Sequence, residues 1–105
     1  MALKTLQSKE EYEKAIKSGL ILMDFNAPWC APCRTQEPIL ERLSIRYEGS
    51  AVIAAMNIDE NQDIAALLGI QSIPTMIIFK NNREIERFVG VQSEGTLSEV
   101  MDKLL

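Results

Sequence analysis

The sequence predicts an α/β fold in which a central mixed β-sheet of four to five strands is flanked by about four helices. Three observations lead there. Leu20–Phe25 is a short apolar run bounded by turn residues, and its continuity, rather than alternation, marks a strand covered on both faces. Segments of helical periodicity separate such runs, so strand and helix alternate along the chain. Met76–Phe79 and Ile85–Val89 are joined by Lys80-Asn81-Asn82-Arg83, which makes an antiparallel hairpin and therefore a mixed sheet.

Taken in order, a short strand is expected around Leu3–Leu6. Ser8-Lys9-Glu10-Glu11 has capping-box spacing, with Ser8 as N-cap and Glu11 reaching back. Tyr12, Ala15 and Ile16 continue that helix until Ser18-Gly19 stops it. After the strand Leu20–Phe25, a helix begins near Cys30 or Ala31 and runs to Tyr47. Pro32 falls in its first turn, where a missing N–H costs nothing. Pro38 falls inside it and should kink it. Ile39, Leu40, Leu43 and Tyr47 form its apolar stripe, and Glu48-Gly49-Ser50 closes it. Ala51–Ile58 reads as a second buried strand. Asp63–Leu68 reads as a short helix ended by Gly69 in a left-handed conformation. Ser93 caps a last helix whose buried face is Leu97, Val100, Met101, Leu104 and Leu105. Tyr12, Tyr47, Phe79 and Phe88 are expected to pack in or beside the core. No repeat, low-complexity tract or linker interrupts the chain, and 105 residues suit one domain over residues 1–105.

Composition excludes several classes of function. With 11 Lys+Arg against 15 Asp+Glu, the net charge of −4 gives no electrostatic footprint for nucleic acid. No apolar run approaches the roughly 20 residues that a bilayer span needs, so no membrane association is expected. Met1-Ala2-Leu3-Lys4 leads into polar sequence rather than a secretion signal, which points to a cytoplasmic protein. There is no His, so Ser–His, Cys–His and imidazole–metal chemistry are absent. Whatever chemistry exists falls to the two cysteines.

Those cysteines stand in Trp29-Cys30-Ala31-Pro32-Cys33. A pair spaced by two residues can close a small disulfide ring, and at a helix N-terminus its members are electronically unequal. Cys30 faces unpaired N–H groups and the positive end of the helix dipole, which favour an exposed thiolate. Cys33, one turn inside, is shielded and keeps its proton longer. Dithiol exchange requires that asymmetry. Half a zinc site is the first alternative, but zinc wants four ligands and the chain has no second CxxC unless a dimer shares the ion. Two inert buried cysteines are the second, and Pro28, Trp29 and Pro32 argue instead for an exposed, shaped turn. In a reducing cytoplasm such a pair is catalytic rather than structural. Asp59, Glu60 and Asp63 read as caps and dipole partners rather than a cation site, and Arg34 as a solvated helix residue.

At these residues the chain resembles the thioredoxin family, and the resemblance covers nearly its whole length. It runs through Asp24-Phe25, Trp29-Cys30-Ala31-Pro32-Cys33, Pro38, Asn57-Ile58-Asp59, Gly69-Ile70, Ile73-Pro74-Thr75, Phe79-Lys80 and Val89-Gly90. It implies a thioredoxin fold and a thiol–disulfide oxidoreductase that reduces protein disulfides. By that resemblance Cys30 is the attacking thiol, Cys33 the resolving thiol, and Asp24 the buried acid that exchanges a proton with Cys33. Pro74 matches a cis-proline facing the Cys30–Cys33 disulfide. Trp29, Ile73, Gly90 and Val91 form an apolar docking rim, and Ala31, Pro32 and Pro74 complete the substrate-binding set. Implied partners are disulfide-bearing proteins and a thioredoxin-reductase-like flavoenzyme, met by a monomer that requires no bound cofactor.

Four positions depart from the family pattern. Ala31 stands where Gly is usual, Asn26 where many members carry Trp, and Ala54 or Ala55 where a Lys lies near the buried acid. Pro28 precedes Trp29 where a charged residue is commoner. A wetter, looser site and a higher Asp24 pKa are expected from the second and third. Two other readings use the same residues: a more oxidising isomerase or dedicated reductant, and a binding module whose dithiol is incidental.

Overall fold

A computed structural model describes residues 3–105; Met1 and Ala2, read above as the start of a chain without a secretion signal, lie outside the described residues. The elements are β1 (Lys4–Leu6), α1 (Lys9–Ile16), β2 (Leu20–Asn26), α2 (Ala31–Arg46), β3 (Val52–Asn57), α3 (Gln62–Leu68), β4 (Thr75–Lys80), β5 (Arg83–Val89) and α4 (Glu94–Leu104). The sheet order is β1-β3-β2-β4-β5. β3 runs parallel to β1 and β2, while β4 is antiparallel to β2 and β5. The expected mixed sheet of up to five strands with four helices is therefore present.

Period-two alternation along β2 sorts the core into two layers. Ile21, Met23 and Phe25 pack with Tyr12 and Ile16 of α1 and Ile64 of α3 on one face. Leu20 and Leu22 pack with Leu40 and Leu43 of α2 and Leu97 and Met101 of α4 on the other. Both faces of β2 are covered, which is why its apolar run does not alternate. Asp24 shares the second face and is carried under α2.

The local devices match their sequence signals. Ser8 Oγ accepts from Glu11 N–H at 3.1 Å, and Glu11 Oε2 accepts from Gln7 N–H at 3.1 Å and from the Ser8 hydroxyl at 3.3 Å. α2 continues through Pro38 to Arg46, and Gly69 ends α3 at φ 66°. Ser93 Oγ accepts from Thr96 N–H at 3.1 Å to open α4. Leu105 departs from expectation: it lies beyond the end of α4 and is exposed, so of the expected apolar face the helix buries Leu97 and Met101, beside Ser98, with Val100 and Leu104 at the margin.

The hairpin loop is tighter than the four-residue link the sequence suggested. It comprises Asn81 and Asn82 alone, at φ 50° and 72°, the left-handed region that asparagine tolerates better than most residues. Asn81 Oδ1 accepts from Gly19 N–H at 2.9 Å, Asn81 N–H donates to Gly19 O at 3.0 Å, and Asn82 N–H donates to Ile16 O at 2.8 Å. These bonds clamp the hairpin to the α1–β2 loop, at the end of β2 opposite the cysteines. Asn81→Ala loses the bond from Gly19 N–H and, with it, the side-chain amide that eases the left-handed conformation. It should cost about 1–2 kcal/mol in urea unfolding with an unchanged m-value, and leave disulfide reduction untouched.

Candidate active site

The carboxyl ends of the parallel strands β2 and β3 open onto the first turn of α2, where open α/β sheets place their ligands. Cys30 is the N-cap of α2 and is joined to Cys33 in a disulfide. Its Sγ accepts from Cys33 N–H at 3.2 Å, so a free helix amide points at the sulfur. After reduction the same amide and the helix dipole would favour a thiolate at Cys30.

The expected contrast between an exposed Cys30 and a shielded Cys33 is not seen in the disulfide. Cys30 is 4% exposed and Cys33 6%, because both pack with Ala27 against Ile58 and Ile73. Around them Trp29, Ala31, Pro32 and Val91 are exposed, Ile73 and Gly90 are half-buried, and Pro74 is buried. Pro74 therefore floors the site rather than forming its rim. The Ile73–Pro74 bond is cis, and Ile73 O lies 3.8 Å from Cys30 Sγ. Gly90, at φ 91°, donates its N–H to Pro74 O at 2.8 Å, so its turn and the proline turn form one surface beside the sulfurs.

Asp24 is 2% exposed. In register it faces Ala55 of β3 and Met76 of β4, neither of which can pair with a carboxylate. Of the two alanines offered for that stretch, Ala55 is the neighbour; Ala54 packs on the opposite face of the sheet. A cleft of about 320 Å³ follows, lined by Asp24, Asn26, Cys33, Arg34, Glu37 and Ala55 among others. Asn26 Nδ2 donates to Asp24 Oδ2 at 2.8 Å, while Asp24 Oδ1 is buried with no hydrogen-bond partner among the described residues. Burial pushes the Asp24 carboxyl up to about 6, the Asn26 amide opposing the rise and the Glu37 carboxylate adding to it.

Several site contacts carry little local signal. The Asp24–Asn26 pair is legible as two polar residues spaced by two on one strand face. Asp59, read as a helix partner, instead accepts from Trp29 Nε1 at 2.9 Å, and α3 is opened by Asn61 without a side-chain cap bond. Arg34 donates to Pro28 O at 3.0 Å and remains exposed.

A two-cysteine ring at a helix N-terminus, in a mixed α/β sheet and backed by a buried carboxyl, defines a thiol–disulfide oxidoreductase. Comparison with known proteins places it more closely. A thioredoxin family model matches residues 3–103. A thioredoxin of Staphylococcus aureus is 42% identical over 95 residues, spanning 90% of this chain and 91% of that one. A mutant thioredoxin from Halobacterium salinarum superposes with a TM-score of 0.88 at 30% identity, over 96% of this chain and 88% of its own. Thioredoxin from Malassezia sympodialis gives 0.84 at 25% identity, over 95% and 89%. The chain belongs to the thioredoxin family and is a protein-disulfide reductase.

The raised Asp24 pKa sets a sign for stability. Between about pH 4 and 6 the folded chain holds a proton at Asp24 that the unfolded chain has released, so stability falls as pH rises through that window. Asp24→Asn should therefore stabilise the protein above pH 6 by up to about 3 kcal/mol, and the gain should vanish below about pH 4 in urea unfolding followed across pH. Asn26→Leu should move the Asp24 midpoint upward, as read from its carboxyl carbon by NMR titration.

Proposed function

We propose that Cys30 is the attacking thiol, Cys33 the resolving thiol and Asp24 the group that takes the proton from Cys33. The observation that carries this is the placement of Cys30 at the N-cap of α2 with Cys33 and Asp24 lining one cleft behind it. In the reduced protein the Cys30 thiolate attacks one sulfur of a substrate disulfide and displaces the other as a thiolate, forming a mixed disulfide. Asp24 accepts the Cys33 proton, and the Cys33 thiolate attacks Cys30 Sγ. The second substrate thiolate leaves and is protonated, and Cys30–Cys33 is oxidised. Two electrons have passed to the substrate.

Trp29, Ala31, Pro32, Ile73, Gly90 and Val91 offer the docking surface, with Pro74 beneath. An extended segment of substrate laid beside Ile73 can pair with backbone there, because the sheet itself begins only at Thr75. The chain acts as a monomer in the cytoplasm on disulfide-bearing proteins, and a flavoenzyme of the thioredoxin-reductase kind returns it to the dithiol. The absence of a bilayer-length apolar helix among the described residues and the bacterial relative at 42% identity are in keeping with that setting.

The decisive experiment is a pair of cysteine variants mixed with an oxidised protein substrate. Cys33→Ser should accumulate a covalent adduct that dithiothreitol releases, and Cys30→Ser should form none. Turnover that survives Cys30→Ser would overturn the assignment. Asp24→Asn should slow resolution by about 100-fold at pH 7 and flatten its pH profile near 6. The Cys30–Cys33 potential should fall near the family reference of about −270 mV; a value near −180 mV would indicate an isomerase instead.

A further inference from the structure

Gln36 lies on α2 three residues after Cys33 and is completely buried. A buried amide must be satisfied or it destabilises the fold, and this one is satisfied by a single residue at both ends. Gln36 Nε2 donates to Gln92 O at 3.0 Å, and Gln36 Oε1 accepts from Gln92 N–H at 2.8 Å. The two bonds take both backbone groups of Gln92, as a neighbouring strand would. Gln92 belongs to the irregular link between β5 and α4, whose first residues are Gly90 and the exposed Val91. That link is fastened on its other side by Gly90 N–H to Pro74 O.

We propose that Gln36 is a positioning residue for protein substrates: its clasp on Gln92 holds Gly90 and Val91 at the height and angle at which they meet a docked polypeptide. The proposal rests on the reading of Gly90 and Val91 as part of the docking rim. Gln36 makes no contact with the sulfurs in this scheme, so it acts on binding and not on the exchange step. Without the clasp, Gln92 N–H and C=O lose their partners, and the link must move to find water. A small disulfide that reaches the sulfurs without resting on the rim is indifferent to that movement.

The test compares intact, disulfide-bonded insulin with dithionitrobenzoate, a small aromatic disulfide, as substrates of the reduced protein. Gln36→Met, close in volume and without the amide, should raise KM for insulin by about two- to tenfold. The kcat for insulin and the rate with dithionitrobenzoate should stay within about twofold. An unchanged KM, or equal losses on both substrates, would overturn the proposal. Amide hydrogen exchange on the unaltered protein supplies a check that needs no variant. Gln92 N–H should be protected although it lies in a surface link, and exchange at the rate of a free peptide would overturn the clasp. Val91→Asp separates the two levels. If it leaves KM for insulin unchanged, the rim reading fails; if it raises KM while Gln36→Met does not, only the role of Gln36 fails.

Discussion

The structure depends on β2 being buried on both faces. Such a strand needs a helical layer on each side, and those layers bring α2 across the carboxyl end of the sheet with its N-terminus over the end of β2. Position and reactivity of the disulfide follow from that. The cysteines sit where the helix leaves N–H groups free, and the strand beneath carries the one acid that the sheet buries among the described residues. The burial of a carboxyl at Asp24 is eased by the Asn26 amide on one oxygen and by a pKa well above the usual carboxylate range.

Two of the four departures of this chain from its family converge on that acid. Ala55 offers no charge beside Asp24, and Asn26 replaces a large apolar ring by an amide that bonds to it. The amide favours the ionised form and the missing cation disfavours it, so the two substitutions oppose one another. Desolvation is the larger influence, which leaves the carboxyl titrating between ordinary carboxylates and ordinary imidazoles. A carboxyl in that range can exchange a proton close to neutral pH in a chain that has no histidine to do so.

Most of the fold was legible because its signals are local. Ser8 and Ser93 cap helices, Gly69 ends one, and the unbroken apolar run of β2 announces two covering layers. Leu105 was misjudged because periodicity continues in sequence after the helix has ended. The CxxC and its proline turn were legible from motif and resemblance together. Apart from the Asp24–Asn26 bond within β2, contacts around the site were not, since they join residues far apart in the chain. Trp29 and Asp59 are 30 residues apart, and Gln36 and Gln92 are 56 apart. A buried glutamine in a helix is indistinguishable from a solvated one until its partner is in place. The burial of Cys30 likewise depends on Ile73, 43 residues on, which packs against the sulfur.

The margins of the sheet carry a last consequence. β1 has only three residues, and β5 carries Arg83, Glu84, Glu86 and Arg87 around its exposed Ile85 and Val89, with an irregular register against β4 near Ile78. Short, charged and irregular margins are poor templates for a foreign strand. A smooth apolar margin would offer any extended backbone a template to pair with, the first step of co-aggregation. Blunted margins leave a polypeptide that comes to the sulfurs no second place on the sheet to add itself.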